Sequence, residues 1–233
     1  MEMKELMANY LALVEEKNKN LVNIAFDEME SSQYEDAAIH FDQLYVQDST
    51  DYMSFFFRAY CKSHCGRRGD VYPDSQKLTS AFELSVSKAL ASSAMLDTEM
   101  YLLLSMYKEA MDNLAYNAVE EVHVDSNGNT YTTNPTKTKI YAACKTSLTT
   151  LMKTNVETFK KLTNVNEYCI NYLKTIEATN LRVYGNILVL YVPEYAAELE
   201  AKIKKQEKKS KMTLIIIGVA FAVIAIASLL MGL

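Results

Sequence analysis

Three short stretches of this 233-residue chain carry side chains suited to chemistry. Cys61-Lys62-Ser63-His64-Cys65 sets two thiols one helical turn apart with an imidazole beside them. A zinc site generally draws four ligands from two separated pairs. Here Cys144 and Cys169 are far apart and form no second pair. Free cysteines commonly pack as small hydrophobes, so the cluster reads as helix packing rather than a metal centre. Asp125-x-Asn127-x-Asn129 opens like a calcium loop, but Thr130 stands where the loop needs Gly and Thr136 where it needs Glu. It reads as a turn, as does Arg68-Gly69-Asp70. The histidines His40, His64 and His123 fall in no Ser/His or Cys/His arrangement, and six scattered glycines build no phosphate-cradling loop. The expectation is a protein without catalytic, metal or cofactor-binding residues.

Charge narrows the partners. Residues 1–201 hold 18 Lys and Arg against 28 Asp and Glu. An acidic body excludes nucleic acid as the expected partner, because phosphate binding needs a basic surface. Within residues 1–60, twelve acidic residues face four basic ones. They form either a solvated helix face or a surface for a basic partner. Sixteen tyrosines and no tryptophan supply aromatic residues that, at helical spacing, fill a core or line a groove. The N-terminus lacks the basic and apolar regions of a signal peptide. Four cysteines are too few for a disulfide scaffold in a chain this long.

The elements that would position these residues are helices. Apolar residues at three- and four-residue spacing predict helices over 3–30, 34–46 and 52–65, then from Leu78 to about Met95 and from Asp97 to about Val119. Asp48-Ser49-Thr50-Asp51 supplies a cap for the third. Val122 to Thr132 alternates around Asn127-Gly128, the signature of a β-hairpin. Pro135 ends it. Further helices are expected over 136–162, 165–177 and 181–192, the last too short to span a bilayer. Pro193 opens a final helix from Glu194 to Met212. The fold class is all-α, as helical hairpins or a bundle, with a small β-hairpin insertion and one C-terminal transmembrane helix. The expected division is a helical domain over 1–118, the insertion over 119–136, a helical continuation over 137–192, a basic juxtamembrane helix over 193–212 and an anchor over 213–233.

Within the first of these segments Leu21, Ile24, Ala25, Ser32, Tyr34, Ala37, Phe41 and Leu44 fall at the apolar and small positions of a tetratricopeptide repeat. Phe55 and Ala59 follow in what would be the next repeat, one 34-residue period after Leu21. Residues 18–66 thus resemble that family. The repeat's usual Trp and paired Gly are absent, and a plain helical bundle fits the same spacing. The resemblance implies paired helices with Ala25, Ala37 and Ala59 at close approaches and a groove that takes a peptide.

Thr213–Leu233 holds no charge and no proline. As a helix it is roughly 31 Å long, close to the hydrocarbon thickness of a bilayer. Lys202, Lys204, Lys205, Lys208, Lys209 and Lys211 precede it directly, and positive-inside bias places the acidic body in the cytoplasm. The expectation is a single-pass, tail-anchored, cytosol-facing adaptor on a bacterial plasma membrane or an organelle membrane. It touches lipid through Thr213–Leu233 and a protein or peptide partner through its helices. The alternatives are a membrane-bound enzyme with an unrecognised site and a SNARE-like fusion protein. The latter needs continuous heptads that Gly185 and Pro193 interrupt.

Overall fold

A computed structural model describes residues 3–66, 70–91, 97–177, 181–209 and 211–212. The chain divides into two compact units, Met1–Tyr168 and Cys169–Leu233. The first holds α1 (Met3–Leu11), α2 (Glu16–Glu30), α3 (Tyr34–Gln47), α4 (Tyr52–His64), α5 (Val71–Ala91) and α6 (Asp97–Tyr116). The hairpin β1 (Glu121–Val124) and β2 (Thr130–Thr133) follows, then α7 (Pro135–Thr154), α8 (Val156–Phe159) and the start of α9 (Thr163–Glu177). The second unit holds the rest of α9, α10 (Leu181–Tyr191), a 3-10 turn at Pro193–Tyr195 and a helix over 196–209. The all-α class with a two-stranded insertion is therefore what the chain adopts.

Local chemistry sets most of the boundaries. Ser32 takes a positive φ of 61° between α2 and α3, and Gln33 N–H returns to Glu28 O at 2.8 Å. Asp51 caps α4, its carboxylate accepting from Met53 N and Ser54 N at 3.1 and 3.0 Å. Asn134 accepts from Lys137 N at 2.8 Å, and Pro135 fills the first position of α7, where no N–H is required. In the hairpin Val122 pairs with Thr132 and His123 with Tyr131. Its turn needs Gly128, at φ 83°, and is closed by Asp125 N–H on Asn129 O at 2.9 Å.

Several expected boundaries move. The single helix over 3–30 is two helices. The end of α1 tightens through Leu13 N–H on Tyr10 O at 2.8 Å, which turns Leu6, Met7 and Tyr10 into the core and leaves Leu13 exposed. The helix expected from Leu78 begins at Val71, because Pro73 sits in its first turn and removes no needed donor. The helix expected over 136–162 breaks at Asn155, whose backbone N–H and side-chain Nδ2 both donate to Leu151 O, at 3.1 and 2.8 Å, and close the end of α7. The final helix opens as a 3-10 turn at Pro193. The segment expected to span a bilayer, Thr213–Leu233, residues Arg68 and Gly69, and the end of the helix expected to reach Met95 lie outside the described residues. Among the described residues no helix is long and apolar enough to cross a membrane.

An aromatic seam forms the core of the first unit. Tyr10, Phe26, Phe41 and Phe57 meet edge-on or tilted at 5.0–6.1 Å. Phe56 leads on to Phe82, and Phe82 stacks flat on Tyr107 at 4.0 Å. Such pairs add about 0.5–1.5 kcal/mol each beyond the area they bury. Tyr107 belongs to α6, which packs against α1, α4, α5 and α7. Its polar tip is satisfied by Thr79 Oγ1 at 2.9 Å. The start of α6 also organises α9: the Asp97 carboxylate accepts from Asn164 N at 2.7 Å and Val165 N at 2.9 Å, a cap supplied from another helix. In the second unit, α10 approaches the helix over 196–209 at Gly185. A Cβ there would meet the Leu199 side chain at 2.7 Å.

Phe82→Ala should lower unfolding free energy by about 3–5 kcal/mol. Ile39→Ala, at a 55% exposed site, should change it by less than about 0.5 kcal/mol. Chemical denaturation followed by circular dichroism compares the two. Asp97→Ala should speed amide exchange at 164–168 and cost about 1–2 kcal/mol, with exchange in α2 and α3 unchanged.

Candidate functional site: a tyrosine-lined groove on α6

Between Met100 and Ala115, every α6 residue is buried except Tyr101, Ser105, Lys108, Glu109, Asp112 and Asn113. At 100° per residue these six and Tyr116 occupy one face roughly 140° wide. Leu102, Leu103, Leu104, Met106, Ala110, Met111 and Leu114 occupy the rest. The helix is thus embedded on all sides but one. The open face is the floor of a groove of about 720 Å³ whose walls are Tyr141 of α7 and Tyr168 of α9.

Four tyrosines line it. Tyr168 stands edge-on to Tyr101 at 5.8 Å and its hydroxyl donates to Leu104 O at 3.2 Å, which fixes the ring. Tyr116 is 83% exposed at one end. Tyrosine offers a large rigid apolar face with a polar tip and two side-chain torsions to order, so it binds other surfaces at low entropic cost. Lys108 and Asp112 pair at 2.6 Å along the floor, which cancels their charges. Glu109, half-exposed, remains as the net charge of the floor. Burial pushes its carboxyl up, but the nearby His64 imidazole and the hydrogen bond from Tyr60 outweigh this and hold it below the usual glutamate value.

Glu109 ties the groove to the Cys61–Cys65 stretch. The Tyr60 hydroxyl donates to Glu109 Oε2 at 2.6 Å. His64 lies between the Tyr34 and Tyr60 rings, 4.4 Å from each, with its side chain 5% exposed. Among the described residues no group of three His, Cys, Asp or Glu side chains is placed to hold an ion. Cys61 is fully buried and Cys65 exposed. Burial raises both thiols and carries Cys169 up to about 12, so thiolate, the nucleophilic form, is scarce at neutral pH. In the Asp125–Asn129 turn the Asp125 carboxylate is occupied by Asn127 N, Asn129 N and Asn129 Nδ2 at 2.8–3.0 Å. These bonds hold its carboxyl below the usual aspartate value.

The positions with repeat-like spacing divide. Ala25, Ala37, Phe41 and Leu44 are buried, and Leu21, Tyr34, Phe55 and Ala59 are partly buried. Ile24 is 37% exposed and does not pack as expected. The buried face of α2 is Val22, Ala25, Phe26 and Met29; it turns toward Phe41 and Phe57 because Phe26 is the larger apolar anchor. Lys202, Lys204, Lys205, Lys208, Lys209 and Lys211, expected to lie beside a membrane, are exposed. Lys202 and Lys204 pair with Glu198 and Glu200 at 2.9 and 2.7 Å, one turn back, the favourable orientation for helical ion pairs.

The apolar stripe of α6 (Met100, Leu103, Leu104, Tyr107, Met111, Leu114) is legible in the sequence. The complementary series 101, 105, 108, 112, 116 was equally legible and marks the groove. A second concavity of about 670 Å³ lies between α5 and α7, lined by Phe82, Val86, Ala143 and Leu151. Its polar pair, Ser147 and Glu83, is mutually satisfied at 2.8 Å.

Treatment of the folded protein with a small alkylating agent should modify Cys65 first, and Cys61, Cys144 and Cys169 only as the chain unfolds. Peptide mapping reads the order, and early loss of the Cys61 thiol would contradict the packing described.

No known protein family, curated protein or solved structure matches this chain, and its functional reading rests on the groove's own residues.

Proposed function

We propose that the protein is a membrane-tethered adaptor that holds a protein or peptide segment in the tyrosine-lined groove of α6. The observation that carries this reading is the single open face of an otherwise embedded helix, lined by Tyr101, Tyr116, Tyr141 and Tyr168 with Ser105 and Asn113 between them. Aromatic residues around adaptable polar groups are the composition of binding surfaces.

The tether is Thr213–Leu233, preceded by the lysine-rich helical segment. In this reading Lys205, Lys208, Lys209 and Lys211 lie nearest the bilayer, and the acidic body stands away from an anionic leaflet on the cytoplasmic side. The paired helices α2–α3 and α4–α5 form the tetratricopeptide-like part, with Ala25 and Ala37 at close contacts, and serve to hold α6.

Deleting 213–233 should move the protein from the membrane fraction to the soluble fraction; retention on membranes would contradict the tether. Proximity labelling from intact cells should give a small reproducible set of proteins. Tyr101→Ala combined with Tyr141→Ala should remove that set without changing the circular dichroism spectrum. An unchanged set would contradict the groove as the binding site.

A further inference from the structure

The groove has a charge at its floor and a buried imidazole behind that charge. His64 Nδ1 lies 3.0 Å from the Tyr60 carbonyl oxygen. A carbonyl only accepts, so Nδ1 carries the proton and donates. That leaves Nε2 of the neutral ring as a lone pair. Nε2 is buried without a hydrogen-bond partner among the described residues and sits 3.7 Å from Glu109 Oε2. Two acceptors therefore face one another, an arrangement that costs free energy until one of them gains a proton.

Glu109 itself faces two ways. Oε2 is turned to the core side, where Tyr60 donates to it. The rest of the half-exposed carboxylate is in the groove. Since Lys108 is neutralised by Asp112, what the groove offers a partner is one negative charge ringed by tyrosine faces. A ring face is the negative pole of an aromatic quadrupole and attracts cations. Carboxylate and rings together favour a guanidinium or ammonium group and repel an anion.

We infer that the groove's partner places a cationic side chain, Arg or Lys, against Glu109, and that protonated His64 competes for the same carboxylate and releases it. When His64 gains its second proton, Nε2–H turns toward Glu109 and cancels the charge that holds the cation. Proton and partner then exclude each other, and affinity falls with falling pH by the same factor that binding makes His64 harder to protonate. Other titratable groups also face His64. From the start of α3 come Tyr34, Glu35 and Asp36, from α4 Tyr60, Cys61 and Cys65, and from α6 Glu109. Burial raises Tyr34, Cys61 and Cys65 and keeps them neutral. Glu28 on α2 is already paired with His40 at 2.7 Å. Glu109 accepts from the Tyr60 hydroxyl, which favours its ionised form.

This inference rests on the groove being the docking site, and the test separates the two. Full-length protein in lipid nanodiscs is exposed to degenerate peptide pools fixed at the central position as Arg, Gln or Glu. At about pH 7.5 the Arg pool should be retained at least about fivefold over the Glu pool, falling about fivefold at about pH 5.5. Glu109→Gln, which keeps an acceptor for Tyr60, should abolish the Arg preference. His64→Gln should keep the preference and remove the acid loss. In the unmodified protein, carbon-13 NMR of the three histidines should show His64 titrating at lower pH when the Arg pool is bound, a readout independent of any variant's folding. Equal retention of the pools, acid loss persisting in His64→Gln, or an unmoved His64 titration would overturn the inference. If no pool is retained while Tyr101→Ala with Tyr141→Ala still removes the proteins labelled in cells, the inference fails and the groove stands. If those proteins are also unaffected, both fail.

Discussion

The structure depends on the burial of α6 on every side but one. Leu102, Leu103 and Leu104 are all fully buried, which requires neighbours on more than one face of the helix. Four other helices, including the chain's first, supply them. Each fully buried leucine or methionine contributes about 1.5–3 kcal/mol relative to exposure, so α6 holds a fixed position that its neighbours are built around. The stripe left open cannot move independently of the core. A groove on such a floor is pre-organised, and little ordering entropy is lost when something binds it.

The capping and aromatic contacts follow from the same constraint. Tyr107 stacks under Phe82, which joins the groove's helix to the aromatic seam of α1 to α4. Asp97 at the other end of α6 caps α9 and so places Tyr168 as a groove wall. One helix therefore provides the floor and, through its first residue, fixes a wall. The Tyr60–Glu109 hydrogen bond ties that floor to α4.

Much of this was legible in the residues and some was not. Helix identity was, because apolar spacing of three and four is repeated through most of the chain. The hairpin was, because Asn127-Gly128 supplies the positive φ its turn needs. The break between α1 and α2 was not: no Gly or Pro marks residues 12–15, and the turn there is imposed by docking α1 on α6. The face of α2 was misjudged at Ile24, since a run such as Leu21-Val22-x-x-Ala25-Phe26 allows two overlapping stripes and the tertiary partner, Phe57, selects one. That Asp97 caps α9 depends on a pairing 67 residues away. The groove itself was readable as the polar and tyrosine series of α6. Its walls, from α7 and α9, belong to tertiary structure alone.

The central claim is that the open face of α6 is where a partner is held. A photo-crosslinking amino acid placed at Ser105, on the groove floor, and separately at Ile39, on an exposed face of α3, tests it in living cells. The account predicts one or a few discrete crosslinked species from position 105 and none of them from position 39. The same species from both positions, or none from 105, would contradict it.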